Sequence, residues 1–456
     1  MRKNSKIHPS PLHILSPGQM MVAGFGFLIL LGAVLLASPI SSANGTSTSF
    51  IDAMFTATSA VCVTGLVVVD TSIHWSIFGK VVIILLIQVG GLGFMTLGTL
   101  VALIFGKKIN LRQRILIKEA LNQDELSGSV KLIKKVLKYT LLIEGLGALL
   151  LSFAFIPQFG FLKGIGYSIF TSISSFCNAG FDLMGRVSGE YSSIVSYYNR
   201  PLIVFTISAL IILGGIGFPV IINIVNKRHL KKLSLNSKMA LVTTAILIVG
   251  GFLMIFLGEV GHALHGMTLW EKFQVAFFQS VTTRTAGYAT IDLTQFREST
   301  LFVMIILMFI GASPASTGGG IKTTTAAVLF IAVKSFIKNE NEITVQHKRI
   351  NVFTFRKALG IFIIAIIIAV LGVYLLSITQ DPKHFDILSC SFEVSSALAT
   401  VGLSLAGSYH LNGVGKVIIM VLMFAGRVGS LTIFTAFISE NKRKRVRYPE
   451  AKVLVG

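Results

Sequence analysis

Four short turns carry the residue types whose spacing could do chemistry: Cys62-Val63-Thr64-Gly65-Leu66, Cys177-Asn178-Ala179-Gly180-Phe181, Arg284-Thr285-Ala286-Gly287-Tyr288 and Ala399-Thr400-Val401-Gly402-Leu403. Their glycines are 115, 107 and 115 residues apart. The chemistry on offer is that of backbone carbonyls. Glycine accepts positive φ, so successive carbonyls can aim at one axis without a Cβ clash. Carbonyl oxygens collected there can replace the water shell of a dehydrated cation. A single Thr-Val-Gly or Thr-Gly turn has little specificity, because glycine is common in membrane helices. Four at near-constant spacing form a repeat, and the expected ion-binding set is Val63, Thr64, Gly65, Asn178, Ala179, Gly180, Thr285, Ala286, Gly287, Thr400, Val401 and Gly402.

The elements that must position these turns follow from the surrounding pattern. Segments of 12 to 14 residues precede them, at 50–61, 164–176, 270–282 and 385–398. They are too short to span a bilayer and fit re-entrant half-helices, tolerated at membrane depth only inside protein or along a watery path. Asp52, Glu271 and Asp386 stand near three of their starts, where carboxylates stabilise helix N-termini through the dipole or attract cations to the outer mouth.

Composition sets the solvent. Of 456 residues, 53% are apolar and 13% charged, and the mean hydropathy is +0.79. An ordinary soluble domain has roughly 25% charged residues, so a soluble globular enzyme is excluded. The net charge of +21 could by itself signal nucleic-acid binding, but its distribution argues against a nucleic-acid partner. Five windows (1–16, 106–138, 226–238, 334–357 and 440–456) hold 29 of the 40 Lys and Arg residues. By the positive-inside rule these are cytoplasmic loops and termini, with both chain ends in the cytoplasm.

Between them lie four blocks, 17–105, 139–225, 239–333 and 358–439, each long enough to leave the cytoplasm and return. The basic N-terminus and apolar run also resemble a secretory signal, but cleavage would leave seven spans and break the repeat. The expected fold is all-α and integral to the membrane: four parallel span–pore helix–span repeats, with eight transmembrane helices and four re-entrant half-helices around a central pore. Four units of like orientation can close only about an axis along the membrane normal. The half-helices then point their partially negative C-terminal ends inward, which favours a cation. Three cysteines, Cys62, Cys177 and Cys390, are an odd set without metal-ligand spacing, and no disulfide framework is expected of them. His262 and His265 stand i,i+3 with no further apparent metal ligands.

Two second spans depart from a plain apolar pattern. In the third block, residues 311–325 contain Gly311, Ser313, Pro314, Ser316, Thr317, Gly318, Gly319, Gly320 and Lys322 where unbroken helix would be expected. Proline and the glycine run cannot easily continue a helix, so the segment is either a flexible polar constriction below the turns or a packing kink. Gly320-Ile321-Lys322-Thr323 fails the phosphate-loop pattern, because Lys does not directly follow the glycine. In the fourth block Arg427 follows Gly402 by 25 residues, within Gly426-Arg427-Val428-Gly429. The first two blocks have Gly90-Gly91-Leu92-Gly93 and Gly214-Gly215-Ile216-Gly217 at this place. A charge at this depth should face the bundle interior, as an ion pair, a carbonyl clamp or an electrostatic barrier. Arg284, three residues before Gly287, is expected to point away from the axis and brace its turn from behind. Glu144, about two turns into its span, is expected to be interfacial or ion-paired.

On these residues the chain resembles the Trk/Ktr/HKT superfamily of potassium transporters, most closely the KtrB-type membrane subunit, over nearly its whole length. The resemblance implies a K+ pathway through one subunit of the plasma membrane, a homodimer, and a separate cytosolic nucleotide-binding regulatory subunit of KtrA type, with Na+ a candidate activator. It carries the filter glycines onto Gly65, Gly180, Gly287 and Gly402, and makes 311–325 the intramembrane gating loop with Arg427 beside it. In the plant HKT branch serine at the first filter position goes with sodium preference, so the resemblance implies that Gly65 favours potassium. The alternative is a Na+- or H+-coupled secondary transporter with a closed site, which often shows inverted repeats; here the repeats are parallel. A membrane enzyme would need motifs such as H-E-x-x-H or G-x-S-x-G, which the chain lacks. For the basic loops, lipid headgroups, the regulator and solvent all stand as partners.

Overall fold

The computed structural model describes residues 17–93, 129–227, 229–340 and 342–429. The expected cytoplasmic termini (1–16 and 440–456), most of the first cytoplasmic loop and the far ends of the first and fourth blocks lie outside the described residues.

The described chain is helical apart from a two-stranded hairpin, Thr344–Val345 with Lys348–Arg349. The first repeat comprises α1 (Pro17–Ala37), α2 (Phe50–Cys62) and α3 (Ile77–Leu92). The second comprises α4 (Ser129–Phe159), α5 (Phe161–Phe176), α6 (Pro201–Gly215) and α7 (Phe218–Lys227). The third has α8 (Leu235–Glu259), α9 (Leu269–Thr282), α10 (Glu298–Phe309) and α11 (Thr323–Ile337), and the fourth α12 (Val352–Thr379), α13 (Ile387–Ala399) and α14 (Gly413–Val428).

The first helix of each repeat, α1, α4, α8 and α12, is long and apolar enough to cross a membrane unaided. Their outward faces carry Phe27, Leu146, Ile246 and Ile367, all exposed. An unpaired apolar surface of this kind is the lipid-facing side of a spanning helix. α4 begins at Ser129, inside the window read as loop, so Lys131, Lys134, Lys135 and Lys138 ride on its first turns.

The short helices α2, α5, α9 and α13 fall where half-helices were expected, with α5 starting three residues earlier than the pattern suggested. Their starts are built by the residues the sequence marked. Asp386 caps α13, its Oδ1 accepting from Ser389 N at 2.7 Å, and Glu271 completes a capping box with Thr268. Asp52 lies in the first turn of α2 and pairs with Lys416 Nζ at 2.6 Å. The carboxylates are thus engaged with helix N-termini or a neighbouring span.

Each second span packs on the pore helix of the following repeat: α3 on α5, α6 on α9, α10 on α13, and α14 back on α2. That cyclic pattern closes the four repeats into a ring.

The second spans are short because each meets a break. Gly93, Gly217 and Gly429, the last glycines of the three Gly-x-x-Gly segments, all have positive φ (81°, 93° and 93°) and end their helices. In the second repeat the chain resumes as α7, bent by 95° from α6. This corrects the expectation of a plain second span there. The glycine three residues earlier serves a different need: a methyl group on Gly90, Gly214 or Gly426 would collide with the carbonyl oxygen of Val61, Phe176 or Leu398, at the C-terminal ends of α2, α5 and α13. Only a residue without Cβ lets the second span approach those carbonyls.

Candidate ion pathway

The four glycine turns meet at the ring's centre. A methyl group on Gly65 would sit 2.5 Å from the Ala179 carbonyl oxygen, one on Gly180 2.6 Å from that of Ala286, and one on Gly287 2.6 Å from that of Val401. Gly402 closes the circle against Thr64 O. In every case the carbonyl belongs to the residue just before the next repeat's glycine.

Backbone conformation repeats with the same fidelity. Val63, Asn178, Thr285 and Thr400 have φ of 58°, 59°, 67° and 53°, and the glycines two residues later have φ of 94°, 70°, 81° and 97°. Left-handed geometry is costly for residues with a Cβ, and its recurrence at four equivalent non-glycine positions marks strain held by the surrounding structure. Handedness thus alternates over the three residues of each turn.

What holds the strain is the pore helix behind each turn. Thr64 N donates to Ser59 O, Ala179 N to Ser174 O, Ala286 N to Thr282 O and Val401 N to Ser396 O, at 2.7–3.0 Å. Hydroxyls add a second tie: Gly65 N donates to Ser59 Oγ and Gly402 N to Ser396 Oγ, both at 3.0 Å. Ser174 Oγ donates to Phe181 O and Thr282 Oγ1 to Tyr288 O, both at 2.7 Å. Amides are therefore engaged behind the turns. Among the described residues the buried carbonyls of Thr64, Ala179, Ala286 and Val401 accept no hydrogen bond from protein. Buried carbonyls are otherwise almost always paired.

Directly against this ring lies the segment between Phe309 and Thr323, which is non-helical as expected, although helix resumes at Thr323 rather than after Thr325. Gly318 and Gly319 press on Thr285 and Thr400: a methyl on either glycine would collide with the threonine hydroxyl. Ser313 N donates to Gly215 O at 2.9 Å and Thr317 N to Gly214 O at 3.3 Å, using carbonyls freed by the break after α6. Phe218 N, the first donor of α7, returns a bond to Ala315 O at 3.0 Å. Pro314 O lies 2.5 Å from where a Gly217 Cβ would be, Lys322 Nζ donates to Gly318 O at 2.7 Å, and Ser313 Oγ pairs with Thr323 Oγ1 at 2.8 Å. Ser316 Oγ is buried without a hydrogen-bond partner, and Gly320 has φ 68°.

Arg427 reaches this segment from the fourth repeat. Its guanidinium donates to Thr317 O, to Gly90 O and, at 3.1 Å, to Gly91 O. These are the bonds of a carbonyl clamp, and among the described residues no carboxylate pairs with it. Arg284 donates to Gly311 O at 2.9 Å, tying the third turn to the root of the loop.

Two groups escaped or misled the sequence reading. Glu144 is buried rather than interfacial, and among the described residues it has no ion-pair partner. It is buried behind the second turn, where Gln88 Nε2 donates to its Oε2 at 3.2 Å and Cys177 Sγ lies 3.8 Å from Oε1. Truncating Glu144→Ala strands both partners in the interior, and a lost buried hydrogen bond of this kind costs about 1–3 kcal/mol. Thermal unfolding in detergent is expected to begin several degrees earlier for E144A, with Glu144→Gln close to the parent because an amide can keep the Gln88 contact. Glu393, inside α13, accepts from Ser404 Oγ at 2.7 Å and from Ser408 Oγ; an acidic residue within a short pore helix was the available signal.

The cysteines are free and buried. His262 pairs with Glu259 at 3.2 Å, and among the described residues no cluster of three or more His, Cys, Asp or Glu could hold a metal.

An all-helical ring of four spanning repeats around converging backbone carbonyls defines a multi-pass membrane protein of the cation-transport class. A family model described as TrkH, cation transport protein, matches residues 18–446, and the chain belongs to that family, within the Trk/Ktr/HKT superfamily. It is 42% identical to the potassium/sodium uptake protein NtpJ of Enterococcus hirae over 97% of this chain and 98% of the relative. Against the Ktr system potassium uptake protein B of Bacillus subtilis it is 39% identical, covering 97% of each. The crystal structure of the potassium transporter TrkH from Vibrio parahaemolyticus superposes with a TM-score of 0.73 at 17% identity, covering 96% of this chain and 87% of that one. That likeness concerns the fold.

Proposed function

We propose that the chain forms a K+ uptake pathway across the plasma membrane, with the four glycine turns as selectivity filter and residues 311–322 as the gate beneath it. The observation that carries this is the closed circle of glycines and unpartnered carbonyls. Those oxygens are desolvated by burial, held rigidly from behind and aimed together, which is what a bare alkali cation needs in exchange for its hydration shell. Relatives named for potassium/sodium uptake and potassium uptake support the choice of ion. The loop touches parts of all four repeats, directly or through Arg427, so it crosses the path rather than lining one wall. A membrane potential of 100 mV contributes about 2.3 kcal/mol per inward cation, enough to drive accumulation without a coupled ion.

Regulation then comes from outside the membrane. We place the chain in a homodimer, among membrane lipids, with a cytosolic nucleotide-binding subunit of KtrA type and Na+ as a candidate activator; support comes from the family resemblance. The cytoplasmic windows between the blocks are at most 33 residues long, too short to hold such a domain.

The test is ion-replacement flux in reconstituted vesicles: K+ flux that rises with concentration and is indifferent to a proton gradient supports a pore, and strict stoichiometric coupling to H+ or Na+ overturns it. Within that assay Arg427→Lys has a defined outcome. Lysine keeps the charge but cannot span Thr317 O and the Gly90–Gly91 carbonyls together. Basal K+ flux is expected to rise severalfold; unchanged flux would mean the clamp does not restrain the loop.

A further inference from the structure

Asn178 is unlike its counterparts in the other three turns. Val63, Thr285 and Thr400 cannot donate and accept through one planar group; the Asn178 amide does both, across two repeats. Its Nδ2 donates to Arg284 O at 3.1 Å and to Thr285 Oγ1 at 3.3 Å, both in the third turn. The Arg284 carbonyl can only accept, which fixes the amide's orientation. Its Oδ1 therefore faces Thr317 of the loop, whose Oγ1 lies 3.2 Å away and also 3.1 Å from Phe176 O at the end of α5. The single hydroxyl proton of Thr317 is shared between these two acceptors. Asn178 and Thr317 are both fully buried, so no solvent replaces a lost partner.

We infer that Asn178 and Thr317 form a latch that couples the position of the loop to the ion preference of the filter, and that Asn178 is the positioning residue. The inference rests on the filter-and-gate reading above. With the loop seated, the Thr317 hydroxyl holds the Asn178 amide, and the amide holds the second and third turns together through Arg284 O and Thr285 Oγ1. When Thr317 leaves, Oδ1 loses its partner in a buried site. The amide then gains by rotating to find another, and rotation breaks its bonds to the third turn. Spacing of two of the four carbonyl sets thus depends on where the loop is. A filter uncoupled from the loop would keep the same K+/Na+ ratio whether the gate is shut or open; a latched one does not.

The experiment is paired K+ and Na+ flux through the full-length protein in vesicles, for Thr317→Val, Thr317→Ser, Asn178→Ala and the double variant N178A/T317V, with Gly65→Ser alongside. Valine matches threonine in volume and lacks the hydroxyl. T317V is expected to raise K+ flux and to lower the K+/Na+ ratio by about threefold to tenfold, the scale of one buried hydrogen bond. T317S should retain the parent ratio, and N178A/T317V should lower the ratio no further than N178A alone. Raised flux with an unchanged ratio in T317V overturns the latch while leaving the gate intact, as do fully additive effects in the double variant. If Gly65→Ser also leaves the ratio unchanged, the filter reading itself has failed. Should T317V not assemble, Thr317→Ala carries the same expectation and the same refuting outcome.

Discussion

Deleting residues 314–320 is expected to raise K+ flux through the reconstituted protein by about tenfold or more. The estimate follows from occupancy: a minor open state populated at roughly 0.1–10% becomes the only one available once the obstruction is gone. The deletion suits the backbone. Gly311 and Gly320 already touch, a methyl on the former falling 2.9 Å from the latter's Cα, and Ala312 N donates to Gly319 O at 3.2 Å. Thr323 N is also bonded to Ala312 O at 3.2 Å, so the roots of the loop are side by side and can be joined without moving α10 or α11.

The deletion also releases Gly214 O from Thr317 N and Phe218 N from Ala315 O. Water entering the widened path can satisfy them, which is why a folded product is expected. A normally assembled deletion with equal or lower flux would show that 311–322 supports the path rather than closing it.

How far this arrangement could be read from the chain depended on whether its determinants were local. The glycine turns were legible because each needs positive φ at one fixed place and a half-helix before it, both of which leave local marks four times over. Asp386 and Glu271 were legible for the same reason, since a cap acts on its own first turn. The break in the second repeat was half-legible. Gly217 and then Pro219, a helix-starting residue in the first turn of α7, stood in the sequence, but apolar residues continue through the break and masked it. Glu144 was misread because its partners, Gln88 on α3 and Cys177 in the second turn, lie 56 and 33 residues away. The role of Asn178 was hidden in the same way: its partners in the third turn and the loop are 106 to 139 residues distant. Closed repeats place such residues together by symmetry, and one-dimensional spacing shows the symmetry without showing the side chains that exploit it.

The second large effect concerns the ring itself. Gly65→Ser is expected to reduce the K+/Na+ preference by about tenfold. Gly65 has φ 94°, and its would-be Cβ lies 2.5 Å from the Ala179 carbonyl oxygen. That oxygen is backbone, tied behind through Ala179 N to Ser174 O, so it cannot swing aside as a flexible side chain would. The added side chain must displace the first turn, the second, or both. Left-handed strain for a residue with a Cβ costs about 1–2 kcal/mol, and about 1.4 kcal/mol is a factor of ten in relative occupancy. A displaced carbonyl penalises the ion that needs it at one distance more than the smaller ion that keeps part of its water. Gly160→Ser separates this effect from simple strain: Gly160 has φ 79°, but nothing lies within 4 Å of its would-be Cβ. The Gly160 variant should lose some thermal stability and keep the parent ion preference. If both variants shift the ratio alike, backbone strain anywhere in the fold suffices, and the carbonyl circle is not what distinguishes the two ions.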